Sequence, residues 1–289
     1  MAVLGLLAVY SLTSTIGPPE PGKTTLNRWT LAIVIVGFII VGALFSLIYF
    51  STAQVSSKTF SYSPPPDADG TYGALSISDV NGLVTVVPWL RPNVLINGTV
   101  IARGLGSSLS TVNLSNSSSN GDVAFHAMFP ANAGFFFSQS YSVNVNVFVP
   151  SSTRFTSVQV SNVNGGVRIE NLNSTTVDLK TVNGAVSVGC MYCLNVTATS
   201  TNGNITAKFA TLVDQGSYNL TATNANMAFT VSSSASFRLS ASVLNGFIQV
   251  SGFPDIITTN QTSLNHTFGT DGASVNIKTV NGQITITGT

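Results

Sequence analysis

Six near-copies of one phrase recur in the second half of this chain: "VSNVNGGVRIE" at Val160, "LKTVNGAVSV" at Leu179, "TSTNGNITA" at Thr199, "TATNANMAFTV" at Thr221, "SVLNGFIQV" at Ser242 and "IKTVNGQITI" at Ile277. Their turn asparagines, Asn164, Asn183, Asn202, Asn224, Asn245 and Asn281, are 19, 19, 22, 21 and 36 residues apart. Self-similarity at a fixed short period restricts the fold to stacked units that bury a face only against their neighbours. The long interval before Asn281 implies one insertion.

Within each unit apolar residues alternate with polar ones. Val167 and Ile169 point one way, Arg168 and Glu170 the other, and Val177 and Leu179 repeat this around Asp178 and Lys180. Period-two alternation indicates strands with one buried face, and Asn-Gly accepts the positive backbone angles of a tight corner. The expected fold is all-β: a β-solenoid of about 20-residue coils, stacked at ~4.8 Å. Its final coil, "VNIKTVNGQITITGT", ends near the last residue without a visible cap, so its edge is expected to be covered by another segment or used for pairing.

Upstream, residues 74–103 alternate and contain a further corner, Asn81-Gly82, and residues 140–160 give a long strand ended by Pro150. Between them the polar stretch of residues 106–122 reads as a mobile loop. "NGLVTVVPWLR" from Asn81 to Arg91, then "VNVFVP", then serial "VNG-x-V-x-V" units resemble the "putative-adhesin" domains of unknown function found on bacterial and archaeal surfaces. The resemblance covers residues 74–289 and implies a right-handed, single-domain β-solenoid with a surface or adhesion role. That family has no agreed catalytic residues to carry over.

Ahead of the repeats, residues 31–50 read "LAIVIVGFIIVGALFSLIYF", without a charge. That is the length a helix needs to cross a bilayer, so one transmembrane helix, or an uncleaved signal anchor, is expected there. Lys23 and Arg28 before it favour a cytoplasmic start. The expected organisation is a cytoplasmic segment and proline linker over residues 1–30, with a marginal apolar stretch at 1–16. The span at 31–50 follows, then an extended linker at 51–73 and an extracellular β-solenoid at 74–289. The expected location is the cell membrane with the body outside; the alternative is secretion after cleavage before Gln54, where Ser51, Thr52 and Ala53 supply small residues.

Only 7% of residues are charged and the net charge is +1, which leaves no electrostatic footprint for nucleic acid. Ser, Thr and Asn make up about a third of the chain. "GPPEPGKTT" at Gly17 matches a phosphate-loop pattern, yet Pro18, Pro19 and Pro21 remove the N–H groups such a loop uses, so no nucleotide is expected. Nine sequons are candidates for N-glycosylation, at Asn97, Asn113, Asn116, Asn173, Asn195, Asn204, Asn219, Asn260 and Asn265. Cys190 and Cys193 form C-x-x-C at the corner opposite the Asn-Gly turn, where a 19-residue slide aligns them with Asn171 and Ser174. A local disulfide is the expectation outside the cell; free thiols, redox chemistry and metal binding are the other readings.

His126 and His266 have no acids clustered near them in sequence. Glu170 and Asp178 could approach across a coil as a glycosidase pair requires, but Arg168 and Lys180 alternate with them and point to a cross-strand charge ladder. Asn132 to Tyr141, with Phe135 to Phe137, is the aromatic stretch, read as packing rather than a binding patch. No catalytic, cofactor or metal site is assigned. The function expected is a non-enzymatic cell-surface protein in adhesion, envelope structure or self-association, its partners the membrane through residues 31–50 and a surface glycan, a protein or itself. The alternative is a secreted filament subunit joined by strand addition of residues 54–62; a polysaccharide-active enzyme is the remote third.

Overall fold

The computed structural model describes residues 28–53, 55–104, 107–130, 139–254, 258–270 and 272–289, in two compact units. The first contains a helix, α1 (Arg28–Ala53). Among the described residues no helix is long and apolar enough to cross a membrane, so the transmembrane helix expected over residues 31–50 is not supported. Residues 1–27, with the phosphate-loop look-alike and the marginal apolar stretch, lie outside the described residues, as does Gln54.

The second unit is all-β. Its strands are β1 (Val55–Tyr62), β2 (Ala74–Ser78), β3 (Val84–Trp89), β4 (Leu95–Arg103), β5 (Asn113–Ser119), β6 (Asp122–Met128), β7 (Ser140–Pro150), β8 (Phe155–Asn162) and β9 (Val167–Thr181). Then follow β10 (Val186–Asn202), β11 (Ile205–Phe209), β12 (Ser217–Asn224), β13 (Met227–Val231), β14 (Phe237–Ser251), β15 (Thr258–Gln261), β16 (Ser263–Phe268) and β17 (Ala273–Gly288). The long strands β9, β10, β14 and β17 carry both halves of a repeat, so each contributes to two walls. The first wall runs β1, β4, β7, β3, β9, β10, β11, β13, β17, β14, β15. The second runs β5, β6, β2, β8, β9, β10, β12, β17, β14, β16.

This corrects the expected right-handed solenoid. The pairings β10–β11, β11–β13, β13–β17, β17–β12 and β12–β10 are all parallel and close on themselves, a five-strand parallel barrel carrying further strands. The chain does not stack in its own order either. The last repeat, β17, is threaded between β12/β13 on one side and β14 on the other. Its edges are therefore both used, and the uncapped final coil does not exist. The 36-residue interval supplies β15 and β16, which pair antiparallel with β14 and change the edge beyond it.

Inward side chains stack in columns along both walls. Val84, Val167, Val186, Ile205, Met227, Ile284 and Ile248 are in register along the first wall, and Leu75, Val158, Val177, Val196, Tyr218, Val275 and Leu239 along the second. All belong to one buried core. Parallel in-register stacking lets each β-branched side chain pack on its equivalent above and below, which is where the stability of such an array resides. Within the polar stretch of residues 106–122, expected as a loop, residues 113–122 instead form β5 and the turn to β6, paired antiparallel through seven positions from Asn113↔Met128 to Ser119↔Asp122. Asn120, at φ 51, and Gly121, at φ 77, make that turn, the left-handed pair an Asn-Gly hairpin uses.

Candidate functional site

The corner asparagines form one continuous row. Asn164 Nδ2 donates to Asn81 Oδ1, Asn183 to Asn164, Asn202 to Asn183 and Asn224 to Asn202, each at 2.8 Å. Asn281 donates to Asn224 at 2.6 Å and Asn245 to Asn281 at 2.8 Å. The row follows spatial order, so Asn281 stands between Asn224 and Asn245. Asparagine suits this place because its amide has a donor on one side and an acceptor on the other. Asn202→Ala removes two of these bonds and is expected to lower stability by about 1–2 kcal/mol, read as a shift of the urea midpoint at unchanged slope.

Beneath the corners lies a second row, which the sequence reading missed. Two residues before Asn164, Asn183, Asn202 and Asn281, an inward polar side chain donates to a main-chain carbonyl of the adjacent repeat; before Asn224 and Asn245 the same place is held by the apolar Ala222 and Val243. Asn162 Nδ2 reaches Gly82 O at 2.7 Å, Thr181 Oγ1 Gly165 O at 3.0 Å, Ser200 Oγ Gly184 O at 3.0 Å and Thr279 Oγ1 Ala225 O at 3.2 Å. The first member of the row is Asp79. The only signal in the sequence was a small polar residue at a fixed offset, lost in a chain so rich in Ser, Thr and Asn.

Cys190 and Cys193 are joined by a disulfide, with Cα atoms 5.9 Å apart. Cys193 is in register with Ser174, as the 19-residue slide gives, but Cys190 faces Leu172 rather than Asn171. Asn171 sits at φ 47, and its bulge shifts the register there. Tyr218 ties this corner down: its hydroxyl donates to Cys193 O at 2.8 Å and accepts from Val213 N at 3.0 Å. Burial raises the pKa of that phenol.

The carboxylates do not meet. Glu170 pairs with Arg168, and Asp178 with Lys180 at 2.8 Å, each within its own strand. Glu170 lies on the half of β9 in the first wall and Asp178 on the half in the second, so neither a glycosidase pair nor the expected cross-strand ladder forms. The cross-strand neighbours of Arg168, Thr85 and Ser187, and those of Asp178, Gln159 and Thr197, are uncharged. His126 is exposed on β6; His266 lies on β16, edge-on to Phe268 at 4.7 Å. Among the described residues no group of three His, Cys, Asp or Glu could hold a metal. Phe135 to Phe137 lie outside the described residues.

Of the sequon asparagines, Asn113 and Asn116 are exposed on β5, Asn195 on β10, Asn265 on β16 and Asn204 at a corner; Asn97, Asn173 and Asn219 are half-buried. Asn204 Oδ1 accepts from Asn226 N at 3.0 Å, and Asn219 donates to Ser217 Oγ and accepts from Asn276. The side chain of Asn260 lies outside the described residues. Residues 55–62, the strand expected to join a neighbouring molecule, pair with β4 of the same chain.

The outward side of the second wall is a regular array. One line across the strands is Thr176, Asn195, Ser217, Ser274, Arg238; the next is Asp178, Thr197, Asn219, Asn276, Ser240; a third is Lys180, Thr199, Thr221, Lys278, Ser242. Hydroxyls and amides thus recur at about the ~4.8 Å strand spacing. At one end a cleft is lined by Arg238, Ser240, Asn265, His266, Thr267 and Asn276.

The sequence profile of the Toastrack DUF4097 family matches residues 65–287. No curated protein is significantly similar to the chain. Among solved structures it is similar to a "putative cell adhesion protein" from Clostridium sporogenes, at 11% identity and a TM-score of 0.46, with 81% of this chain and 100% of that chain covered. A "putative adhesin" from Bacteroides fragilis follows at 10% identity and 0.35, covering 82% and 98%. A "putative lipid binding protein" from Parabacteroides distasonis stands at 9% and 0.29, covering 82% and 98%. With these TM-scores below 0.5, the likenesses carry no weight for function.

Proposed function

The chain belongs to the Toastrack DUF4097 family, and from that premise we propose that its β-body is a non-enzymatic cell-surface domain that adheres through the outward side of its second wall. The observation that supports this is the array of Thr197, Thr199, Asn219, Thr221, Asn276 and Ser240 on a parallel scaffold, uncharged at its centre, with the Asp178–Lys180 pair, Lys278 and Arg238 as the charged members of the same lines. Such a centre has little to offer an ionic partner but can satisfy many hydroxyls at once. A neutral polysaccharide is the partner of that chemistry. The Cys190–Cys193 disulfide supports a place outside the cell.

The test is adhesion of beads carrying the β-body to whole cells, before and after periodate destroys the vicinal diols of their surface glycans. Adhesion is expected to fall at least about tenfold with periodate, and equally with Thr199→Arg combined with Thr221→Arg, at an unchanged melting temperature. The scale is that of losing a few hydrogen bonds to one partner. Adhesion that survives both changes would overturn the reading.

A further inference from the structure

The inner row of donors has a rule and one member that breaks it in its ionised form. Asn162, Thr181, Ser200 and Thr279 each donate to the carbonyl that follows the corner asparagine of the adjacent repeat. In all four of those repeats the same carbonyl stands within 2.0 Å of where a Cβ on the donor's own corner glycine would lie: Gly82 O at 1.7 Å from that of Gly165, Gly165 O at 2.0 Å from that of Gly184, Gly184 O at 2.0 Å from that of Gly203, and Ala225 O at 2.0 Å from that of Gly282. At the Asp79 corner the glycine is Gly82, and the carbonyl in that place, at 2.1 Å, belongs to Val143. Val143 N donates to Asn81 O at 2.7 Å, which seats β7 against this corner. Asp79 Oδ2 lies 3.1 Å from the same Cβ point.

Asp79 is 2% exposed and its Oδ2 has no hydrogen-bond partner. Its Oδ1 is served, accepting from Val80 N at 2.8 Å. Next to it in register, Asn162 is 3% exposed and its Oδ1 also lacks a donor. A carboxylate has no hydrogen to give, so in that form the corner would hold a buried charge beside orphaned acceptors, the arrangement folded proteins avoid. We propose that Asp79 is held as the neutral acid, its Oδ2–H donating to the Val143 carbonyl and completing the row, which makes this corner a pH-sensitive latch between β7 and the strands stacked on it.

Burial pushes the Asp79 carboxyl up to about 7, against the lowering effect of the Val80 and Asn81 N–H groups. No charged group contributes: Val143 from β7, Asn162 from β8 and Gly82 at the corner are the groups facing it, and none titrates. The sign follows from linkage. With a folded pKa above the unfolded 3.8, the stabilising contribution is complete below about pH 4 and is lost as pH rises through about 7. The latch is closed in acid and strained in alkali.

The experiment is thermal unfolding of the full chain from pH 5 to 8.5, with Asp79→Asn and Asp79→Thr beside it. Threonine is the residue the row itself uses at positions 181 and 279. The wild type is expected to lose on the order of 5 °C or more across this range, and whichever variant folds is expected to be flat and to match the acid form. Infrared difference spectra of the wild type alone give the second reading: a protonated-carboxyl band that disappears with a midpoint near 7. Parallel profiles for wild type and variant, or a carboxylate already ionised at pH 5, would overturn the proposal.

Discussion

A chain ending at Gly272 is expected not to fold. It lacks β17, whose Val275, Ile277, Ile284 and Ile286 are fully buried and whose two edges pair with β12/β13 and with β14. Burying four such side chains contributes on the order of 6–12 kcal/mol, comparable to the whole stability of a typical domain at about 5–15 kcal/mol. The loss is also in the wrong place for tolerance, since it separates β14 with its antiparallel cover from everything before it. In an array stacked in chain order the same deletion would remove one end unit and leave the rest paired. Circular dichroism and a thermal melt decide the matter. A cooperative transition within about 5 °C of the full chain's would mean that β17 is peripheral after all.

Gly184→Ala and Gly166→Ala are expected to differ sharply although both change a corner glycine to alanine. A Cβ at Gly184 would stand 2.0 Å from Gly165 O and 2.4 Å from its carbon, both main-chain atoms fixed by pairing on either side. Nothing flexible can yield, and the two repeats must move apart at the corner, which also lengthens the Asn183–Asn164 bond. We expect a loss of about 3 kcal/mol or more. A Cβ at Gly166 meets first a side-chain atom, Leu83 Cδ1, at 3.0 Å, which can turn away, so about 1 kcal/mol or less is expected. Urea midpoints of the two variants should separate clearly; equal midpoints would mean the corner is soft.

Much of this body is legible in the repeat. The seven corner asparagines, the buried alternation through Val177 and Leu179, and the insertion before Asn281 all come from spacing alone. The order of stacking does not, because "IKTVNGQITI" presents the same inward residues to any neighbour, and periodicity says which face is buried but not against which repeat. The strand β5 was missed for a related reason. Its Ser-rich sequence shows no apolar alternation, since it lies at an edge and packs mainly through Leu114, leaving backbone pairing with β6 to define it. Asp79 escaped notice because one aspartate among corner residues signals a solvated turn; only its burial gives it a different chemistry.

The outer asparagine row also has a sense of direction. Every amide donates the same way, so within the row Asn81 only receives and Asn245 only gives. Turning one interior amide around would set nitrogen against nitrogen on one side and oxygen against oxygen on the other. The row is thus ordered collectively, each bond polarising the next, and a reversal can enter only from an end. A break at Asn202 would leave two short runs free to choose their sense independently, whereas a break at Asn245 would only shorten a single one. The effect of a lost amide then depends on its place in the queue as well as on its own two bonds.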